Sequence, residues 1–122
     1  MNKISALGRK ADVKLVNNDL EGAKAMLEEM KVMMTPIQNP RKMEGYEFFL
    51  GQISYRQKDY ANAIKHFEMS DKLNVYTKYW LAKAYEVAGQ KDRAMTLYKD
   101  VANYNFNGID YARIRNEVRQ KM

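Results

Sequence analysis

Two stretches, LGQISYRQKDYANAIKHF at residues 50–67 and LAKAYEVAGQKDRAMTLY at residues 81–98, are one pattern written twice, 31 positions apart. Leu50-Gly51 returns as Leu81-Ala82, Asp59-Tyr60 as Gln90-Lys91, and Ala63 followed by Phe67 as Ala94 followed by Tyr98. Self-similarity at such a period marks a stacked helical array, in which each unit buries its apolar face only against its neighbours.

Apolar spacing of three and four predicts helices on both sides of this pair. Helix one, near 3–17, carries Ile4, Leu7, Ala11 and Leu15. Helix two follows the capping pair Asn18-Asp19, runs through Leu20, Ala23, Leu27, Met30 and Met34, and stops at Thr35-Pro36, because proline lacks the amide donor. Helices three (41–57, opened by Pro40) and four (60–72) share the short turn Lys58-Asp59, so they are antiparallel neighbours. Helix five (75–88) closes on Gly89, helix six spans 91–103, Asn105 to Gly108 break the pattern, and helix seven covers 109–121 with Tyr111, Ile114 and Val118 on one stripe. No strand-like alternation competes.

At 122 residues the chain fits one domain, 1–122, with a continuous core. Its 46% apolar and 30% charged content places it among folded chains, and no run nears the roughly 18 apolar residues of a membrane helix. Cysteine is absent, which removes disulfides and thiolate chemistry. The start, Met1-Asn2-Lys3-Ile4, has no export signal, so the cytoplasm is the default compartment. It also has no convincing cap, so Met1 is read as opening a piece of a longer protein, one that could itself be exported. The net charge of +6 is spread along the chain, and its one basic concentration is Arg113, Arg115, Arg119 and Lys121 around a lone Glu117. Interspersed acids argue against the continuous basic stripe that phosphate binding needs.

With these residues in hand, the chain resembles the tetratricopeptide repeat (TPR) family. Leu50-Gly51, Asp59-Tyr60, Ala63, Phe67 and Ser70 fit its first helix, turn and second helix, and Leu81-Ala82, Tyr85, Gly89, Ala94, Tyr98 and Val101 fit the next unit. The first unit fits less well, with Lys10 where leucine is expected and Leu7-Gly8 three residues out of step. Segments like Asn39 to Tyr46 and Tyr104 to Asn107 resemble those of bacterial members. The resemblance implies an all-α fold: a right-handed superhelix, or α-solenoid, of three hairpins (about 3–35, 41–73 and 75–104) plus a capping helix at 109–121. It also implies that the first helices of successive units line a concave groove for an extended peptide or partner helix.

Helical-wheel arithmetic from Leu50 and Leu81 puts Phe48, Gln52, Tyr55, Arg56, Tyr76, Tyr79, Lys83 and Glu86 opposite the buried stripe. A helix with one buried face should be polar there, yet these positions are rich in aromatic rings beside cations, the composition of an interface hot spot. For Phe48 and Tyr79, burial between adjacent helices and contact with a ligand are equally compatible. Phe49 and Trp80 are assigned to packing between hairpins. The family's best-known carboxylate-clamping positions are matched here by Gly8, Asp12, Phe49, Tyr76 and Trp80, none of them a cation.

Enzymatic chemistry has little to stand on. His66 is the only histidine and reads as a surface residue, no partner set exists for a metal, and the six glycines are scattered singly. Glu28-Glu29 diverge by about 100° and read as a solvated face, and Met26, Met30, Met33 and Met34 read as core. The expectation is a non-catalytic scaffold, with no cofactor or metal, that binds a protein or peptide. Self-association or docking onto a larger bacterial chain is the alternative, and nucleic-acid binding through the last helix ranks third.

Overall fold

The computed structural model describes residues 3–103 and 109–121, and among them finds seven helices and no strand. They are α1 (Lys3–Val16), α2 (Leu20–Met34), α3 (Glu44–Arg56), α4 (Tyr60–Glu68), α5 (Val75–Val87), α6 (Lys91–Asn103) and α7 (Ile109–Lys121). The expected break at Asn105 to Gly108, the hairpin bound at 104 and the side chain of Tyr111 lie outside the described residues.

Three turns repeat one another bond for bond. In each, the middle residue has positive φ: Asn18 at 59°, Lys58 at 64° and Gly89 at 87°. The amide of the next residue reaches back five positions, Asp19 to Lys14, Asp59 to Ser54 and Gln90 to Tyr85, at 2.7–2.9 Å, closing the helix in a Schellman-type cap. Each following helix starts with the same bond to its cap, from Ala23 to Asp19, Ala63 to Asp59 and Ala94 to Gln90. The Asp19 carboxylate also accepts from the Gly22 amide at 2.9 Å. This shared closure sets a register across the whole chain in which Ala11, Gly51 and Ala82 are equivalent, as are Leu27, Phe67 and Tyr98, and all six are buried. The first unit therefore follows the pattern without insertion. Lys10 replaces the expected leucine because it is exposed, whereas Leu50 and Leu81 pack inward.

Two boundaries differ from the sequence expectation. Helix α3 begins at Glu44, not near residue 41, because the Asn39 side chain captures the Arg41 amide (2.9 Å) and Asn39 and Arg41 carbonyls close turns onto Lys42 and Glu44. Helix α4 ends at Glu68, not 72. The amides of Met69 and Ser70 turn to carbonyls three positions back, and the Ser70 hydroxyl donates to the Phe67 carbonyl at 2.9 Å.

Packing follows chain order. Each helix contacts the next, and α3 also touches α1 and α5, so these three odd-numbered helices lie side by side. The core falls into two clusters. Leu7, Leu15, Leu27, Met30, Met34, Tyr46 and Ile53 form one over α1, α2 and α3. Phe67, Tyr79, Tyr85, Tyr98, Val101, Ile114 and Val118 anchor the other over α4 to α7. Gly51 marks the tightest crossing, where a methyl group would lie 2.5 Å from the Phe67 ring. No helix among the described residues is long and apolar enough to cross a membrane.

Candidate functional site

The common turn register defines what faces outward from α1, α3 and α5. Counting back from the equivalent turns places Asp12, Gln52 and Lys83 at one position on the three adjacent helices. A carboxylate, an amide and an ammonium thus form a row across the odd-helix face.

The eight residues expected to share a groove divide into two end groups and a pair between them. Phe48 and Tyr76 line a cleft of about 420 Å³ at the end where α3 and α5 begin, together with Arg41, Ser70, Asp71 and Thr77. There Arg41 forks onto Glu44 through Nε and a terminal nitrogen (2.9 and 3.0 Å) and also reaches Asp71 at 3.4 Å. Phe48 packs on Phe67, with ring centres 5.8 Å apart, and so serves the core as well as the cleft.

Tyr55, Tyr79, Lys83 and Glu86 gather instead at the other end, beside α7. Lys83 sits over three rings, with its Nζ 4.7 Å from the Trp80 centroid, 5.0 Å from Tyr79 and 5.6 Å from Tyr55. Burial pulls the Lys83 pKa down. The nearby Glu117 opposes that shift, while Lys121 and Arg56 reinforce it. Tyr79 is buried and its hydroxyl donates to Glu117 of α7, so burial first and this bond second raise the phenol's pKa. Glu86 accepts from Lys121 (2.9 Å) and from the Tyr98 hydroxyl (3.0 Å), and the Lys121 bond leads in lowering its pKa. Tyr79 is thus a packing residue, captured by the last helix. Tyr55 is half-buried and meets Tyr60 and Trp80 edge-on at 5.4 Å each.

Gln52 and Arg56 lie between these groups, one turn apart on α3. Gln52 is only 7% exposed overall and makes no hydrogen bond among the described residues, and its amide atoms still reach the surface. The Arg56 Nε is buried and likewise has no hydrogen-bond partner there. Most polar groups this deep are satisfied, so the orphaned Arg56 Nε marks an incomplete surface. Asp12 completes the row. Its pKa is raised by desolvation alone, with no cation contributing.

Several contributors escaped the sequence reading. Glu117 was legible only as the one acid within the basic run from Arg113 to Lys121, and that setting was the available signal. Trp80, assigned to packing, indeed bridges α3, α4 and α5 through Tyr55, Phe67 and Tyr79. His66 is not a surface residue. It is half-buried, and its Nδ1 lies 2.6 Å from the Glu47 carboxylate, tying α4 to α3. Among the described residues no group of three or more histidines and carboxylates could hold a metal. No family model, curated protein or solved structure gives a significant match to the chain.

Proposed function

We propose that this protein is a non-catalytic interaction module, a TPR-like α-solenoid whose α1, α3 and α5 face forms a groove for a segment of another polypeptide. The observation that carries this reading is the Arg56 Nε, a buried donor with no hydrogen-bond partner among the described residues, one turn from Gln52, whose amide reaches the surface and makes no bond there either. A bound backbone or side chain would supply the missing partners, and the flanking Tyr55 ring offers the rigid aromatic area on which interfaces concentrate affinity. The thrice-repeated turn supports the solenoid.

The test is affinity capture from the source organism, comparing the wild type with a Gln52→Ala/Arg56→Ala double variant. Because neither side chain contributes a hydrogen bond among the described residues, the variant should keep its helicity and melting temperature while losing the captured protein. Retained capture, or loss of folding, refutes the assignment. Self-association is the second reading. It rests on Val13, Val16 and Val32, exposed by 59%, 78% and 71% on the first two helices. A strictly monomeric mass by light scattering up to millimolar concentration would remove it.

A further inference from the structure

Gln52 is amphoteric, but the groups on either side of it are not. Toward α1 stands Asp12, which pairs with no cation among the described residues. Toward α5 stands Lys83, with Arg56 close enough to depress its pKa, and the two carboxylates nearest to Lys83 are both engaged. Glu117 accepts from Tyr79, and Glu86 accepts from Lys121 and Tyr98. The face therefore runs from an unpaired carboxylate over α1, through an open amide on α3, to an excess of positive charge over α5, where Lys83, Arg56 and Lys121 outnumber Glu117 and Glu86.

The chain itself shows what the positive end accepts. Glu117, carried on α7, has placed its carboxylate against the Tyr79 hydroxyl that Lys83 also approaches, at 3.5 Å. A second carboxylate arriving from outside would find Lys83 and Arg56 with no salt bridge of their own among the described residues, although Glu117 and Glu86 lie near Lys83. Both ends are partly desolvated, so matching charges would meet in a medium less screening than bulk water.

On the reading that this face binds a partner segment, we infer that the segment is an extended peptide of mixed charge, with its cationic side chain at Asp12 and its carboxylate at Lys83 and Arg56. Packed helices lie about 8–10 Å apart, so two steps from α1 to α5 span roughly 16–20 Å. At about 3.3 Å per residue, the two charges stand five or six residues apart in the segment. The central amide of Gln52 bonds to the peptide backbone between them. Opposite charge in this geometry fixes which end of the partner meets which helix and rejects segments of uniform charge.

Four blocked peptides of about seven residues test this, with the same serine and alanine body. Their terminal positions carry arginine and glutamate, two arginines, two glutamates, or two glutamines. Each is titrated into 15N-labelled protein and followed through the amide and Arg Nε signals. The mixed peptide should bind about tenfold more tightly than the diglutamine peptide. Asp12→Lys, an exposed site whose substitution leaves the fold intact, should transfer the preference to the diglutamate peptide by a similar factor. Equal binding of the mixed and diglutamine peptides overturns the charge assignment, while shifts confined to α3 and its neighbours would leave the partner-binding reading standing. Preference of the wild type for either like-charged peptide also overturns it, as does the absence of any shift. In that last case partner binding is decided by capture with the Gln52/Arg56 variant.

Discussion

The two halves of the core solve the same packing problem with different materials. Over α1, α2 and α3 the interior is leucine, methionine and isoleucine with one tyrosine. Over α4 to α7 the aliphatic residues are joined by four buried rings, Phe67, Tyr79, Tyr85 and Tyr98, and the hydroxyls of the three tyrosines reach carboxylates of Glu117, Glu68 and Glu86. Flexible thioethers fill whatever gap is left and tolerate exchange. Rings whose polar ends are bonded fix how each helix is rotated about its axis. The aromatic half is therefore the one that can hold surface groups such as Lys83 in a defined place, and α3, packed into both halves, carries the open polar pair between them.

The comparison is broken most directly at equivalent buried positions. Phe67 and Leu27 each sit four residues after the alanine that follows a turn. Phe67→Ala empties a site against Phe48 and Trp80 and should cost about 3–5 kcal/mol, whereas the methionine-rich surroundings of Leu27 should collapse enough to hold Leu27→Ala to roughly 2–3 kcal/mol. Urea denaturation of both variants measures the difference. A larger loss at Leu27 would show that the first core is the rigid one.

A second test stays on the Phe67 ring. Gly51→Ala places a methyl group 2.5 Å from that ring and should destabilise by about 1–3 kcal/mol, since the ring is held by neighbours and cannot swing away. At the equivalent Ala82, reversion to glycine should cost about 1 kcal/mol through helix propensity and lost packing. Thermal melts of the two variants decide it. Neutral behaviour of Gly51→Ala would mean that the aromatic core yields as easily as the other.

These residues also show what the sequence could and could not disclose. Helix type and order followed from apolar spacing, and the turns at Asp19 and Gly89 from residues suited to capping and to positive φ. Lys58 carries no such signal, since lysine has no preference for the left-handed region, and only the shared bond pattern reveals that it plays the part of Gly89. The groove assignment was drawn on the premise that each first helix has one buried face. Helix α5 buries Val75, Thr77, Tyr79, Leu81, Ala82, Ala84 and Tyr85, almost its full circumference, because α4, α6 and α7 all close on it. Wheel arithmetic placed Tyr79 opposite Leu81 but could not see that α7 covers that side. Gln52 and Arg56 were named for their direction, and their lack of partners emerged only from the packed structure.

Tyr98→Phe probes the hydroxyl-to-carboxylate bonds that set the second core apart. At neutral pH it removes a bond to Glu86 worth about 0.5–1.5 kcal/mol. Burial, reinforced by Glu86, raises the folded phenol above its usual value near 10. Above that pH the unfolded chain ionises while the folded one holds its proton, so the wild type loses about 1.4 kcal/mol per pH unit that the variant does not. The wild-type advantage should therefore shrink through pH 10 and reverse near pH 11. Denaturation curves at pH 8, 10 and 11 read this directly, and a constant difference would place the hydroxyl in water.

The smallest effect is expected where α7 is tied to α5 at the surface. Lys121 bonds to Glu86 at 2.9 Å, but both side chains are about a third exposed, so solvent screening holds the pair to roughly 0.5 kcal/mol. Because the folded Glu86 pKa lies below the ordinary 4.5, the contribution is complete above that pH and is lost as pH falls through the depressed value. Lys121→Ala should thus differ from wild type at pH 7 and converge on it as the pH falls below 4.5 and Glu86 takes up its proton. A difference that persists in acid would trace to the Lys121 stem packed over the Tyr98 ring, 5.6 Å from ammonium to centroid, and would make aromatic contact, not charge, the tie that binds the last helix.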